Sequence, residues 1–384
     1  MIYPGKINPK RKTTLKLLQD EDLRILHLSG VKEWRGGERQ VYFLLKALEG
    51  TANYQQALMS PKNALLTQKA QQEGITTLST SLFSGFDLNF ARKLKRFCHH
   101  FQPHFIHAHD AKAHNLSILA HFLGLQIPLI VSRRVAFPIG KSRWSAYKYN
   151  HPAVVKIITV SDAVCSIVQS GIHNPHIVER VYSAIDLQEW ENVQKSDLKA
   201  QLQLPKSALL VAKVGALGKD KDYATYLKMA ALVLPQKPNT HFLVIGRGPE
   251  EDALKALAQK LGISENVHFL GYQKAVKTLL KAVDVFAMTS AKEGLGTAVL
   301  DAFAAGLPVV CTKVGGLPEM VTHEENGWLG IDPPSLAEGM LQLLNNAEDR
   351  KEMGLKNRGK VKKFSVATMG EETMKIYQSL QKGG

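Results

Sequence analysis

The amino-acid sequence predicts an α/β protein of two doubly wound, Rossmann-like domains. With 384 residues the chain is longer than one typical hydrophobic core supports, so two domains are expected. Short apolar runs alternate with helix-like segments along both halves of the chain, a pattern typical of parallel sheets covered by helices on both faces. The hydrophobic content of 45% and charged content of 22% are those of an ordinary globular protein.

The first half of the chain is predicted to form one parallel sheet. Its first strand is Leu23–Leu28, and its clearest helix covers Leu88–Phe101. We place a domain boundary near Asp186, so residues 23–185 form the N-terminal domain and residues 1–22 a basic arm before it. Helices are also predicted at residues 41–48 and 115–123, and strands at residues 54–59, 75–78, 105–107, 129–131 and 157–160.

The second half repeats this alternation in a C-terminal domain of residues 186–363. Its first strand is Leu209–Val214, and its most informative stretch is 283–321. Residues 348–363 are polar and basic, and no element is assigned to them. The predicted strands are 242–245, 267–270, 283–288, 308–312 and 327–331, and the predicted helices are 223–234, 251–261, 297–305, 336–344 and 366–380.

The helix that starts at Thr297 carries the features of a ligand site. Thr297 is predicted to cap this helix, whose start presents backbone N–H groups with a partial positive charge. Gly294 and Gly296 lack side chains, so a phosphate can approach the backbone closely. Glu293 and Asp301 flank the same point, and their carboxylates accept hydrogen bonds from hydroxyl groups. A phosphate-binding position between two carboxylates that accept hydrogen bonds from hydroxyl groups is what a nucleotide-sugar site requires.

Two features of the first half also lie near predicted strand ends. Gly36 and Gly37 follow the first strand without the G-x-G-x-x-G spacing, so a dinucleotide cofactor is not supported. His107 and His109 alternate along the end of a strand and therefore point the same way. No carboxylate or cysteine at ligand spacing accompanies them, so no metal or other cofactor is expected.

The segment that begins at Glu293 resembles the signature of retaining glycosyltransferases of family 4. These enzymes have the GT-B fold, which implies that the two Rossmann-like domains face an interdomain cleft. In that signature a glutamate, seven residues and a second glutamate precede a small-residue helix and the motif G-x-P-V-V. Here Glu293 and Asp301 occupy the acidic positions, and GLPVV follows at residues 306–310. The resemblance implies that Glu293 contacts the donor sugar and Asp301 the ribose. It also implies that residues 364–384 form a closing helix that packs back on the N-terminal domain.

The same resemblance implies that catalysis consists of positioning and charge stabilisation. His109 and Glu293 orient the sugar, and Lys221 neutralises the leaving pyrophosphate. Ala216 replaces the usual arginine of this loop, so either Lys219 supplies a second positive charge, or the leaving group relies on Lys221 and the helix start. The acidic pair does not form an Asp-x-Asp cation clamp, so no metal is expected. The donor and nucleotide side is assigned to Gly36, Gly37, Lys219, Arg247, Gly271, Tyr272, Gly294, Leu295, Gly296, Thr297 and Asp301.

The net charge of +15 favours anionic partners. Basic residues cluster at 92–96 and interleave with aromatic residues at 133–149, which suits a membrane interface. We expect a nucleotide-sugar donor and, as acceptor, a lipid-linked or phosphorylated glycan of envelope polysaccharide or lipopolysaccharide assembly. No secretory signal or membrane span is visible, and Cys98, Cys165 and Cys311 form no pair or metal spacing. A cytoplasmic location is expected, peripheral at the inner face of the cell membrane.

Other functions remain open at this point. A sugar-nucleotide epimerase of the same architecture needs an acid/base pair that the sequence does not reveal. A catalytically silent paralogue that only binds a nucleotide-sugar is consistent with Ala216. A nucleic-acid-binding protein would exploit the positive charge, with binding that weakens steeply with salt. The sequence shows no recognition helix or stacking motif, so no nucleic-acid partner is expected.

Overall fold

The computed structural model describes residues 22–81, 87–140 and 142–382. Two parallel sheets form its framework, one of seven strands and one of six, and helices surround both. The predicted α/β class of two doubly wound units is therefore confirmed. The predicted basic arm lies, apart from Asp22, outside the described residues. Within the described ranges, no helix combines the length and the apolarity needed to cross a bilayer.

The first unit alternates strands and helices along the chain. Its elements are β1 (Leu23–Leu28), α1 (Gly36–Leu48), β2 (Tyr54–Pro61), α2 (Leu65–Gln72), β3 (Thr76–Thr80), α3 (Leu88–Phe101), β4 (Phe105–Ala108), α4 (Ala111–Phe122), β5 (Leu129–Arg133), α5 (Arg143–Tyr149), β6 (Val154–Thr159), α6 (Asp162–Gln169) and β7 (Val178–Arg180). The strand order is β3-β2-β1-β4-β5-β6-β7. The order reverses between β1 and β4, and ligands of such sheets bind at the crevice beyond this point.

The second unit has the same construction. Its elements are α7 (Leu198–Gln201), β8 (Leu209–Val214), α8 (Tyr223–Val233), β9 (Thr240–Ile245), α9 (Glu251–Lys260), β10 (Val267–Gly271), α10 (Val276–Leu280), β11 (Val285–Met288), α11 (Thr297–Ala305), β12 (Val309–Thr312), α12 (Leu317–Met320), β13 (Gly327–Gly330), α13 (Pro333–Asn345), α14 (Ala347–Lys360) and α15 (Val366–Lys382). The strand order β10-β9-β8-β11-β12-β13 reverses between β8 and β11. The loops after these two strands therefore lie side by side.

The elements with the clearest patterns have the predicted bounds, namely β1, α3, β8 and α11. No prediction covers α2, α5, β7, α7, α10 or α14. The reason is plain for α14, whose polar sequence buries only Met353, Gly354 and Asn357. Packing holds this helix: a Cβ on Gly354 would lie 2.2 Å from the Gly306 carbonyl oxygen, at the end of α11. Tertiary contact thus stabilises a helix that lacks an apolar stripe.

The chain passes between the two units at two places, and these crossings lie side by side. The N–H of Ile185 donates to the carbonyl of Phe364 at 2.8 Å, and Ile185 pairs with Ser365 in a parallel bridge. Beyond this point α15 packs against α1 and shares a hydrophobic cluster with Phe43 and Ile25 of the first unit. The last helix of the chain therefore completes the core of the first unit.

Candidate functional site

The start of α11 has no side-chain cap. Gly296 is the N-cap, with a left-handed φ of 98°. The prediction that Thr297 caps this helix is wrong, because Thr297 is already its first helical residue. A Cβ on Gly296 would lie 2.6 Å from Leu317 Cδ2, so both the conformation and the lack of space require glycine. The helix start remains available to an anion.

Lys221 and Glu293 meet beside this helix start. They follow β8 and β11, whose carboxyl ends are neighbours in the sheet. Lys221 Nζ lies 2.5 Å from Glu293 Oε2, and the two side chains are 30% and 12% exposed. Ser290 Oγ donates to the same oxygen at 3.2 Å, and a Cβ on Gly296 would lie 3.4 Å from Glu293 Cγ. The structure thus places a cation and a hydrogen-bond-accepting carboxylate together at one end of α11.

Asp301 lies opposite a cation of the first unit. Its carboxylate is 3.5 Å from the guanidinium of Arg39 on α1, and that guanidinium is 3.6 Å from Glu189. Burial raises the pKa of Asp301, while the positive charge of Arg39 acts in the opposite direction. Asp301 therefore faces the boundary between the units, and its contact with a ribose stays a prediction.

Gly36 and Gly37 lie in the first turn of α1, whereas the sequence places them in a loop before the helix. The helix starts early because the side chain of Glu38 accepts a hydrogen bond from the N–H of Arg35 at 3.1 Å. A Cβ on Gly36 would lie 3.9 Å from Thr297 Oγ1. The starts of α1 and α11 consequently face each other across the boundary.

Of the other residues predicted on the donor side, some contact one another and some are exposed to solvent. Arg247 lies over Gly271, where a Cβ would be 3.3 Å from its Nε, at the adjoining ends of β9 and β10. Tyr272 is 68% exposed, and Lys219 and Ala216 are also exposed. The structure therefore brings Arg247 and Gly271 together, and the donor contacts of this group remain predictions.

His109 is buried just beyond β4 and held by two neighbours. Its Nε2 lies 2.9 Å from His27 Nδ1, while Arg134 donates to the His109 carbonyl at 2.7 Å and lies 3.3 Å from its Nδ1. Burial lowers the pKa of His109 well below its usual value, and the neighbouring His107 and Arg134 lower it further. The imidazole is therefore neutral, and both its nitrogens face protein groups. Its contact with a donor sugar stays a prediction.

His27, His107 and His109 form a buried cluster whose ligand nitrogens lie within 4.8 Å of one another. Such a spacing resembles that of a metal site, so the residues need a closer test. His107 Nδ1 already lies 2.5 Å from the hydroxyl of Tyr377 on α15. The guanidinium of Arg134 beside His109 would repel a metal cation. The cluster fits a hydrogen-bonded network better than a metal centre, and the absence of a metal or cofactor stays a prediction.

Two side chains join the units around the donor-side loops. Ser161 caps α6, since its Oγ accepts the N–H of Val164 at 3.1 Å. The same hydroxyl donates to the carbonyl of Gly294 at 2.7 Å. Glu319 of α12 accepts the first two backbone N–H groups of α6 at 2.8 and 2.9 Å. The loop before α11 is therefore held by both units.

Sequence reasoning missed Arg39, Arg134, Lys213 and Glu319. A signal existed for Lys213, which is a charged residue inside the otherwise apolar strand β8. The other residues have no local signal, because their partners lie far away in the chain. Arg39 and Asp301, for example, are 262 positions apart.

Comparison with known proteins decides the family. The model of "Glycosyl transferases group 1" matches residues 194–360, and that of "Glycosyltransferase Family 4" matches residues 34–189. A GDP-mannose-dependent monoacylated alpha-(1-6)-phosphatidylinositol monomannoside mannosyltransferase of Corynebacterium glutamicum is 30% identical over 258 residues, 62% of this chain and 67% of that protein. The chain belongs to the group 1, family 4 glycosyltransferases. The family predicted from the spacing of Glu293 and Asp301 is confirmed.

Two further comparisons extend this result. An N-acetyl-alpha-D-glucosaminyl L-malate synthase of Bacillus anthracis is 29% identical over 213 residues, 53% of this chain but only 56% of that protein. This chain thus spans little more than half the length of that relative. The solved structure of Anabaena HepE in complex with UDP and glucose covers 93% of this chain and 100% of its own, with a TM-score of 0.78 and 20% identity. That likeness shows the GT-B fold, as predicted.

Proposed function

We propose that this family 4 chain is a retaining glycosyltransferase that moves a sugar from a nucleotide-sugar to a hydroxyl acceptor, without a metal. The observation that carries the proposal is the Lys221–Glu293 pair, 2.5 Å apart beside the uncapped start of α11. A diphosphate needs a cation and free N–H groups, and a sugar needs a hydrogen-bond acceptor. These groups stand together at the boundary between the units, where a donor and an acceptor are able to meet.

In the proposed reaction Lys221 and the start of α11 bind the donor diphosphate. Its negative charge grows as the bond from the anomeric carbon to the phosphate oxygen breaks, and a cation aimed there stabilises the transition state by about 3 kcal/mol. The acceptor oxygen forms the new bond to the anomeric carbon on the same face. Its proton passes to the departing phosphate oxygen. Glu293 accepts hydrogen bonds from the sugar hydroxyls and keeps the donor oriented.

The comparisons support a nucleotide-sugar donor but differ in the base. HepE was solved with UDP and glucose, whereas the C. glutamicum relative is named for GDP-mannose. A thermal-shift panel of UDP-, GDP- and ADP-sugars identifies the donor, because a ligand at 100 times its Kd stabilises the folded state by about 2.7 kcal/mol. The proposal is wrong if no nucleotide-sugar raises the Tm.

Turnover then tests the reaction class. NMR of the product is expected to show the anomeric configuration of the donor, and EDTA is expected to leave the rate unchanged. Glu293→Gln is expected to abolish transfer while the protein stays folded. Inversion of the anomeric carbon contradicts the mechanism. Conversion of the donor without any acceptor indicates the epimerase, and donor binding without transfer to any acceptor indicates the silent paralogue.

We further propose that the acceptor is a lipid-linked or phosphorylated glycan of envelope polysaccharide or lipopolysaccharide assembly, met at an anionic membrane surface. The exposed face of α3 carries Arg92, Lys93, Lys95 and Arg96, and the helix has no acidic residue. Lys95 donates to the carbonyl of Leu123 at 2.6 Å, next to an exposed aromatic pair. Phe122 and Tyr147, 57% and 44% exposed, stack with ring centroids 6.0 Å apart. Cations beside exposed rings suit lipid headgroups.

This surface keeps the basic cluster at residues 92–96 that the sequence suggested, but of the suggested stretch 133–149 it keeps only Tyr147. Arg134 turns inward to the His109 carbonyl, and Lys148 and Tyr149 are buried. Their charge and aromatic area are therefore not presented to a membrane. The membrane surface proposed here consists of α3 together with Phe122 and Tyr147.

Flotation with vesicles tests this surface. The wild-type protein is expected to float with phosphatidylglycerol vesicles and to remain behind with phosphatidylcholine vesicles. Lys95→Glu combined with Arg96→Glu is expected to prevent flotation. Lys351→Glu combined with Lys356→Glu on α14 makes the same change in net charge at another exposed helix, and is expected to float. If the wild-type protein floats equally with both kinds of vesicle, or with neither, the membrane proposal is wrong.

A further inference from the structure

Lys213 is a lysine in the interior of the second unit. It lies on β8 with a relative exposure of 0%. Its Nζ donates to the backbone carbonyl of Lys221, to the carbonyl of Asp222 at 3.2 Å, and to the hydroxyl of Thr289. Lysine is almost never fully buried unless it is paired. The hydrogen-bond partners of Lys213 belong to the loop after β8 and to the residue that follows β11.

Counting the hydrogens shows the charge state of Lys213. The hydroxyl of Thr289 donates its own hydrogen to the carbonyl of Asp222 at 2.8 Å, so its oxygen can only accept from Lys213. Nζ thus faces three acceptors, and only an ammonium group has three hydrogens to donate. The ring of Tyr223, with its centroid 4.3 Å from Nζ, also favours a cation. Burial lowers the pKa of Lys213 well below its usual value, whereas the negative charge of Asp222 acts in the opposite direction.

These contacts shape the loop that carries Lys221. Asp222 has a φ of 43°, a left-handed conformation that side chains rarely adopt. Lys213 holds the carbonyls of both Lys221 and Asp222, and Thr289 holds that of Asp222. Thr289 also begins the loop that leads to Glu293. One buried ammonium group therefore ties the Lys221 loop to the end of the strand that presents Glu293.

We propose that Lys213 is a positioning residue that aims Lys221 at the diphosphate of the donor and adds a fixed positive charge beneath the loop. Ala216, on the outer side of the same loop, is exposed and uncharged. The buried ammonium group of Lys213 thus adds a positive charge on the inner side of this loop. This inference rests on the proposed function, since it concerns the binding of the same diphosphate.

The test compares diphosphate binding with nucleoside binding. Calorimetry measures the affinities of UDP, GDP and ADP and of their nucleosides for wild type, Lys213→Met and Lys228→Met. Methionine keeps the length of the lysine side chain and removes its charge, and Lys228 on α8 is an exposed control. Lys213→Met is expected to bind the preferred nucleoside diphosphate about tenfold more weakly and its nucleoside as wild type does. Lys228→Met is expected to match wild type in both.

Thr289→Val provides a second measure if Lys213→Met does not fold. It removes one acceptor of Lys213 and keeps the side-chain shape, and is expected to weaken diphosphate binding about threefold. Variants that lose thermal stability but keep the wild-type ratio of diphosphate to nucleoside affinity would show that Lys213 only supports the fold, which overturns the inference and leaves the proposed function intact. A wild-type protein that binds no nucleoside diphosphate overturns both.

Discussion

Ser161 Oγ donates a hydrogen bond to the carbonyl oxygen of Gly294, 2.7 Å away, and so ties the first unit to the loop before α11. This carbonyl belongs to the residue directly after Glu293. Gly294 has no room for a side chain, since a Cβ would lie 2.4 Å from the carbonyl oxygen of Arg134. The loop that presents Glu293 is thus shaped by both units, and donor binding and contact between the units are expected to depend on each other.

Replacing Ser161 with Ala is expected to weaken both stability and donor binding. The change removes the cap of α6, worth about 1 kcal/mol, and the bond to Gly294, worth about 1 kcal/mol. The free energy of unfolding should therefore fall by about 2 kcal/mol, as measured by urea denaturation. Ser170→Ala, at the exposed end of α6, is the control. Donor affinity equal to that of wild type in Ser161→Ala would contradict the role of the Gly294 contact.

Lys221 and Glu293 are expected to act on different parts of the donor. Lys221→Met should lower kcat about a hundredfold, because the diphosphate loses its cation, and should also weaken binding of the free nucleoside diphosphate. Glu293→Gln should abolish transfer, whereas the free nucleoside diphosphate should still bind, because that ligand carries no sugar for Glu293 to contact. Steady-state kinetics and calorimetry check the two effects, with Lys228→Met as control. Equal loss of diphosphate affinity in both variants would show that Glu293 does not serve the sugar.

His114 is expected to make the protein less stable in acid. It is buried on α4, with Nε2 3.0 Å from the Lys148 carbonyl, and burial lowers its pKa to about 3. A histidine in the unfolded chain has a pKa of about 6.5, so as pH falls the unfolded state takes up this proton first. The contribution of neutral His114 is present above pH 6.5 and is lost as pH falls from there towards 3, by up to about 1.4 kcal/mol per pH unit.

Urea denaturation at pH 7, 6 and 5 measures this effect. His114→Gln should reduce the slope of the unfolding free energy against pH by up to about 1.4 kcal/mol per pH unit, because the substitution removes one titrating group. His99→Gln, at an exposed position of α3, is the matched control and should keep the wild-type slope. An unchanged slope in His114→Gln would show that His114 is protonated alike in both states.

Two glycine substitutions are expected to have opposite signs. Gly296→Ala forces a side chain into a left-handed conformation and towards Leu317 Cδ2, 2.6 Å away, and should destabilise the protein by about 1–3 kcal/mol. Gly359 lies on α14, and a Cβ added there would have no heavy atom within 4 Å. Gly359→Ala should therefore stabilise the helix by about 0.5–1 kcal/mol. Thermal denaturation checks both. A stable Gly296→Ala protein would mean that the loop before α11 is less constrained than its contacts indicate.

The wrong N-cap prediction shows the limit of rules that consider only neighbouring residues in the chain. The sequence predicts that Thr297 caps the helix because its hydroxyl can accept a backbone N–H, yet Gly296 occupies the N-cap position, where Leu317 packs against it. Local reasoning also places Gly36 in a loop, whereas Glu38 closes the helix start around it. In both cases the residue types near the site are right, and packing or a side-chain hydrogen bond sets the boundary.

The sequence by itself determined the alternation of strands and helices, the bounds of β1, α3, β8 and α11, and the family through the spacing of Glu293 and Asp301. These features are encoded by neighbours in the chain, through periodicity and short-range spacing. Only the tertiary structure decided which side chains meet. Arg39 reaches Asp301 over 262 positions, Ser161 reaches Gly294 over 133, and His27 reaches His109 over 82. Parallel sheets bring the carboxyl ends of distant strands together, and no local pattern records which residues face each other there.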